Sequence, residues 1–250
     1  GLGILIEPSS SPTRARLVAE IRKSKPKAII SEYSAIDNSN PTTAATELFF
    51  SPDSDSCARP LLKLDQAKRI LSLDSDFAST DPNSLSNARG YASGRRIKSA
   101  KEAKKMSRLY AVESNLSQTG ANADHRLRVS TSNIPSFTQL LASFILNDVP
   151  APVGFSESQF SWAKECALDL KSKSGASIVV AGSHLPVDVH KLVFAINEKL
   201  GALGKTIEYL KIPSSGASTI EDLEEALKNE KVKTLFILGG NPSYNTPGNL

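Results

Sequence analysis

The sequence contains few residues of the kinds that mark metal, disulfide-rich or membrane proteins. Cys57 and Cys166 are its two cysteines, and no Cys-x-x-Cys spacing occurs, so the chain lacks the thiolates for an iron–sulfur cluster or a structural zinc site. Cys166 lies in a helical pattern and is predicted to be a buried, inert side chain, while a disulfide between the two cysteines stays open. No apolar run approaches the ~20 residues that span a bilayer, and we find no charged leader followed by an apolar stretch.

Several catalytic and nucleotide-binding motifs are also missing. The pattern Gly-x-Gly-x-x-Gly does not occur, and Gly1-x-Gly3 precedes a strand instead of following it. Ser183-His184 suggests a hydrolase, but the chain has no Gly-x-Ser-x-Gly elbow. The three histidines, His125, His184 and His190, are not spaced as metal ligands, so structural or solvent-exposed roles are predicted for them.

The charge balance of the chain does not favour a nucleic-acid-binding function. The chain has 250 residues and a net charge of +4, with 22% charged residues, as in ordinary globular proteins. The basic run of residues 95–105 has no interleaved aromatic side chains for base stacking. It is predicted to be a solvated face, with contact to an acidic partner as the alternative.

What the chain does contain is an alternation of short apolar runs with helical patterns. The runs show continuous apolarity, which is typical of parallel strands buried on both faces. Ser156 and Gln159 have capping-box spacing before one helix, and Ser218 and Glu221 have it before another. The predicted strands are Gly3–Glu7, Ala28–Tyr33, Arg69–Leu73, Leu109–Glu113, Ser177–Ala181, Ile207–Lys211 and Thr234–Leu238.

This alternation predicts an α/β fold of two Rossmann-like, doubly wound lobes. The proline-rich segment around residue 150 places the boundary, giving a first lobe at 1–150 and a second at 151–250. Residues 51–60 are polar and turn-rich, and a surface loop is predicted there. The chain ends just after a strand-to-loop transition, so we expect it to be an excised piece of a longer polypeptide.

Two strand ends carry contrasting residues. Gly239-Gly240-Asn241-Pro242 follows the last strand and is either a ligand-binding turn or simply a tight turn. Asp74 and Asp76 follow the third strand and are either metal or acid–base ligands or ordinary turn residues. Two carboxylates there would repel a bound pyrophosphate.

Residues 106–129, together with "RILSLDSDF", "AGSHLPVDVHKLVFAINEKLG" and "LFILGGNPSYNTP", resemble segments of molybdopterin oxidoreductases in the same order. Within that family the chain looks most similar to the iron–sulfur, molybdopterin-oxidoreductase-like subunit of bacterial alternative complex III. The resemblance implies that residues 1–150 are an inserted, contiguous lobe, and that the lobe at 151–250 is incomplete and continues beyond both ends of the fragment.

The resemblance implies a site for bis(molybdopterin guanine dinucleotide) between the lobes. Its remnants in this chain would be Glu113, Thr119 and the turn Gly239, Gly240, Asn241 and Pro242. Asp74 and Asp76 replace a neutral turn, and the family's Asp-Pro-Arg corresponds here to Glu113-Ser114-Asn115, so a degenerate domain that holds no cofactor and no metal is expected.

The function implied is a non-catalytic scaffold lobe in a respiratory complex that oxidises quinol. Its expected partners are the other subunits of that membrane-bound complex and a ferredoxin-like iron–sulfur domain on the same parent chain. No nucleic acid and no direct membrane span are expected, and the location would be the periplasmic side of the bacterial inner membrane. Two alternatives stay open: a working molybdenum oxidoreductase, and a nucleotide-binding module that uses the Gly239 turn alone.

Overall fold

The computed structural model describes residues 1–9, 11–51 and 56–246. The chain divides into two compact units, which do not follow each other simply along the sequence. The first unit combines Gly1–Asp37 with Pro213–Leu250, and the second is Asn38–Ile212. The predicted boundary near residue 150 thus falls inside the second unit.

The first unit is built on a three-stranded parallel sheet, in which β1 (Leu2–Ile6) lies between β2 (Ile29–Glu32) and β9 (Thr234–Leu238). The ends of its strands were predicted to within one residue. Ile4, Ile6 and Ile30 form a small buried cluster on one side, and Leu5 and Leu223 belong to a second. The elements of this unit are β1 (Leu2–Ile6), α1 (Pro12–Ser24), β2 (Ile29–Glu32), α8 (Ile220–Lys228), β9 (Thr234–Leu238) and α9 (Pro242–Asn245).

The second unit contains the larger core, around a four-stranded sheet. Its strands, in spatial order, are β6 (His125–Arg128), β5 (Arg108–Glu113), β4 (Arg69–Leu73) and β7 (Ser177–Ala181). All of its neighbouring strands are parallel. The elements are α2 (Asn40–Phe49), β3 (Ser56–Leu62), β4 (Arg69–Leu73), α3 (Ser84–Arg95), β5 (Arg108–Glu113), α4 (Gln118–Ala121), β6 (His125–Arg128), α5 (Ile134–Ile145), α6 (Glu157–Ser172), β7 (Ser177–Ala181), α7 (Val187–Lys199) and β8 (Ile207–Pro213).

Both faces of this sheet are buried, which explains the continuous apolarity of its strands. Leu71 and Val179 pack on one face with residues of α5, α6 and α7. Ile70 and Ile178 pack on the other face, where Tyr91 of α3 joins them. The prediction of an α/β fold with parallel strands is confirmed.

The predicted loop at residues 51–60 is partly a strand. Residues 56–60 belong to β3, which pairs with β8, while residues 52–55 lie outside the described part of the chain. β6 is a further strand that the sequence patterns did not predict. In the described ranges, no helix combines the length and apolarity needed to cross a membrane.

The capping boxes at the N-termini of α6 and α8 were both predicted from sequence spacing, and one of the two predictions is correct. Ser156 and Gln159 form the predicted capping box of α6. The box of α8 is formed by Thr219 and Asp222, so the predicted pair Ser218 and Glu221 is wrong by one residue. Backbone hydrogen bonds join Ser218 to β2, with its N–H donating to the Ile30 carbonyl, and this places the cap at the next residue.

Candidate functional site

The four-stranded sheet changes its winding direction at β4. From β4 the chain adds β5 and then β6 on one side, and it later adds β7 at the opposite edge of β4. In open parallel sheets, ligands bind beyond the carboxyl ends of the strands at such a switch point, where the connecting loops diverge and leave a crevice. The loops that follow β4 and β7 therefore flank the candidate site.

These two loops approach each other closely at Gly182 and Asp74. The Gly182 N–H donates to the Leu73 carbonyl at 2.9 Å, and a Cβ added to Gly182 would lie 2.2 Å from the carbonyl oxygen of Asp74. Glycine is required there because any side chain would displace the backbone of the neighbouring loop. Asp74 itself has φ = +49°, in the left-handed region that aspartate tolerates better than most residues. The rim of the crevice is thus fixed by backbone geometry.

The Asp74 carboxylate crosslinks three loops at the rim. It accepts hydrogen bonds from the Ser114 N–H at 3.2 Å and from the Thr131 hydroxyl at 3.0 Å. His184 Nε2 lies 3.2 Å from the same carboxylate, and its side chain is half-exposed. These groups line an open cavity of about 360 Å³, together with Asp76.

Asp76 holds a loop in place. One of its oxygens accepts hydrogen bonds from the N–H and the hydroxyl of Thr119, at 2.9 and 2.8 Å. The Thr119 hydroxyl accepts in turn from the Ala78 N–H at 3.1 Å. Thr119 is fully buried, so this predicted cofactor residue connects the loop after β4 to α4.

Glu113 is a buried carboxylate with several donors. It accepts from the N–H and the hydroxyl of Ser117, at 3.3 and 2.6 Å, and it forms an ion pair with Arg126 at 2.6 Å. Within the described residues we find no group of three metal-ligating side chains that could hold an ion. The carboxylates at this rim bind protein groups that stabilise the loops.

A second cavity of about 150 Å³, which is less open than the first and is called the enclosed cavity below, also lies at the switch point. Ser75 and Phe77 line it from the end of β4, and Val180 and Ser183 line it from the end of β7. The rest of the wall comes from β3, from α2 and α3, and from the segments that precede these two helices: Asn38, Thr42, Arg59, Leu62, Asp81 and Asn87. Apolar walls with a few converging polar groups are typical of small-molecule sites.

Asp81 is the acidic group of this cavity. Burial raises the pKa of its carboxyl above the ordinary value, the hydrogen bond from the Ser75 hydroxyl acts in the opposite direction, and the Asp76 charge raises it again. Asn87 is buried nearby and donates to the Pro82 carbonyl at 3.3 Å. Ser183 donates to the Asn38 side-chain oxygen at 2.5 Å, which joins the loop after β7 to the start of α2.

Arg59, on β3, is the basic group of this cavity, and sequence reasoning missed it. Like Arg89 and Arg128, it makes no ion pair with a carboxylate of the described residues, whereas Arg69 and Arg126 each pair with an acidic side chain. The surrounding sequence offered no signal, because Arg59 lies in a segment that was predicted to be a loop.

The predicted site residues fall into two groups. Glu113 and Thr119 lie at the rim of the switch point, in the second unit. Gly239, Gly240, Asn241 and Pro242 follow β9 in the first unit. Both glycines have positive φ, and a Cβ added to Gly239 would lie 3.2 Å from the Glu7 carboxylate, so the tight turn requires them. Asn241 precedes the four-residue helix α9.

The histidines, the cysteines and the basic run, which the sequence analysis considered as possible functional residues, have the following surroundings in the structure. His125 stacks on Tyr110 with ring centroids 4.9 Å apart. His190 is buried, and burial lowers its pKa to about 4. Both cysteines are free; Cys166 is buried as predicted, and burial raises the pKa of its thiol. The basic run lies mainly on the surface, although Arg95 pairs with Asp124.

Comparisons with known proteins do not assign the chain to a family. No family model matches the chain, and no curated protein matches it. Among solved structures, the chain is similar to the formyltransferase/hydrolase complex (FhcABCD) from Methylorubrum extorquens in complex with methylofuran, with 14% identity and a TM-score of 0.49. The match covers 96% of this chain and 54% of that chain, so this chain spans about half the length of its match.

These findings contradict the resemblance to molybdopterin oxidoreductases. No model of that family matches, and the matched structure is described as a formyltransferase/hydrolase. The assignment to alternative complex III, the quinol-oxidising scaffold function and the alternative of a working molybdenum enzyme are corrected with it. The absence of a cofactor, the partner subunits and the periplasmic location were derived from the same resemblance and stay predictions.

Proposed function

We propose that residues 38–212 form a small-molecule-binding domain, with its ligand in the enclosed cavity at the switch point between β4 and β7. The observation that carries this proposal is the position of the cavity. It lies beyond the carboxyl ends of two neighbouring parallel strands, at the edge where the winding direction of the sheet reverses.

The lining of the cavity supports the same function. Leu62, Phe77 and Val180 supply apolar surface, while Arg59 and Asp81 supply opposite charges. Pockets that enclose drug-sized ligands measure about 300–1,000 Å³. A cavity of about 150 Å³ therefore selects a smaller molecule and is too small for a dinucleotide.

The proposal is tested with variants that fill the cavity. Thr42 lines it from α2, and Thr43 is the next residue of the same helix but does not line it. Thr42→Phe should abolish the binding of small polar compounds that are detected by ligand-observed NMR or by a rise in Tm, and Thr43→Phe should preserve it. A ligand that binds only the folded protein must raise its Tm.

Two results would refute the proposal. One is that no compound in a broad set of small polar molecules binds at millimolar concentration. The other is that every compound that binds the wild type binds Thr42→Phe equally well. GDP belongs in the set, since its binding to both variants would favour the Gly239 turn as a nucleotide site instead.

A further inference from the structure

We infer that the enclosed cavity recognises a small zwitterion, in which a carboxylate binds Arg59 and a protonated amine binds Asp81. This inference rests on the proposed function, because it names the class of ligand for the same cavity. The observations behind it are the two charged side chains, which line one cavity without forming an ion pair, and the neutral surface around them.

Arg59 provides a site for a planar anion. A guanidinium presents its N–H groups as a rigid fork that matches the two oxygens of a carboxylate. The arginines that anchor the sheet already have such partners: Arg69 pairs with Asp169, and Arg126 pairs with Glu113. Arg59 forms no ion pair within residues 1–9, 11–51 and 56–246, so a ligand carboxylate would supply its partner.

Asp81 provides the complementary acceptor. One of its oxygens accepts from the Ser75 hydroxyl, and in the described structure no hydrogen bond is formed to the other oxygen. A partly desolvated carboxylate gains most from a cationic donor, because burial has removed the water that would otherwise stabilise its charge. Asp74 and Asp76 lie close enough to raise the pKa of Asp81, so the field on this side of the cavity also favours an ammonium group.

The two charged side chains line the same cavity without pairing with each other. No ion pair within 4.0 Å links Arg59 and Asp81, although both belong to its wall. A molecule that carries both charges can pair with the two side chains at once. An anion alone would leave Asp81 unpaired, and a cation alone would leave Arg59 unpaired.

The neutral surface limits the rest of the ligand. Leu62, Phe77 and Val180 can contact a short aliphatic group, and the Asn87 amide can form one further hydrogen bond. The small volume of the cavity excludes long side chains. A short aliphatic amino acid has these properties.

The test compares 2-aminobutyrate with two analogues that each lack one charge, butyrate and propylamine. We expect isothermal titration calorimetry to show binding of 2-aminobutyrate, and binding of each analogue weakened by about tenfold or more, since a hydrogen-bonded charge pair is lost. Arg59→Met and Asp81→Asn should each weaken the binding of 2-aminobutyrate to a similar degree. Arg89→Met removes an exposed arginine outside the cavity and should change nothing.

The results separate this inference from the proposed function. If butyrate or propylamine binds as tightly as 2-aminobutyrate, the inference that the cavity recognises a zwitterion is wrong. It is also wrong if binding of 2-aminobutyrate withstands both charge-removing variants, once circular dichroism shows that they are folded. If only other compounds bind, and Thr42→Phe abolishes their binding, the ligand class is wrong and the binding domain stands. If no compound occupies the cavity, both are wrong.

Discussion

Replacing Glu113 with glutamine tests whether this residue is a structural crosslink or a remnant of a cofactor site. The carboxylate is 4% exposed and is held by Ser117 and Arg126. Glutamine keeps one oxygen, but its NH₂ group faces donors, so the charge-assisted bonds are lost. Breaking a buried ion pair costs about 3–5 kcal/mol. The Arg126 side chain is 29% exposed and can regain water, so about 2–3 kcal/mol is expected.

Thermal unfolding followed by circular dichroism measures this loss. For a domain of this size, about 2–3 kcal/mol lowers Tm by about 5–10 °C. Glu47→Gln is the matched control: its carboxylate is half-exposed and pairs with Lys191, so Tm should stay within about 1 °C. Arg126→Met should cost a similar amount, and the double variant should cost less than the sum. A Tm of Glu113→Gln equal to that of the wild type would refute a structural role.

Three further predictions concern buried polar groups of the second unit. Asn197 forms hydrogen bonds to both the N–H and the C=O of Val179 at 2.8 Å, so Asn197→Ala should lower the free energy of unfolding by about 2–4 kcal/mol in urea titrations; no change would show that water replaces the amide. His190 has its pKa lowered from 6.5 to about 4 by burial, opposed by backbone hydrogen bonds. The stabilisation from its neutral form is complete above pH 6.5 and is lost as pH falls towards 4. The free energies of unfolding measured by urea titration at pH 7 and at pH 4.5 should therefore differ less for His190→Gln than for the wild type. Iodoacetamide should label Cys57, which is half-buried, in the native protein, and it should label Cys166 only after unfolding; labelling of native Cys166 would contradict its burial.

The strands of the core could be predicted because burial on both faces leaves a simple pattern. β4 and β7 were predicted with the bounds that the structure has, since nearly every residue in them is apolar or small. β6 was missed because it is short and polar, with Leu127 as its only apolar residue. β3 was missed because it contains a proline and follows a polar, turn-rich stretch.

The grouping of the strands was harder to predict than their existence. A proline-rich stretch near residue 150 indicated a boundary, but α5 and α6, on either side of it, pack against the same face of one sheet. β1 and β9 pair although more than 200 residues separate them. Strand order depends on long-range pairing, and one sequence carries no local signal for such pairing.

The candidate site shows the same limit at the level of side chains. Asp74 and Asp76 were candidate ligands in the sequence because charged residues at the end of a buried strand are easily recognised. In the structure their carboxylates accept hydrogen bonds from loop groups such as Thr119. The sequence patterns did not mark Arg59 and Asp81, because only the folded chain brings β3 and the loop after β4 to the wall of one cavity.

The charged side chains at the switch point differ in whether the described protein supplies their partners. Asp74 and Glu113 have donors within the protein, and removing those donors would leave buried charge unpaired. Arg59 has no such partner in the described structure, although its side chain lines a cavity that also holds a carboxyl group with a raised pKa. The ion pair that we propose between Arg59 and a ligand carboxylate would give this charge the partner that the described residues do not supply.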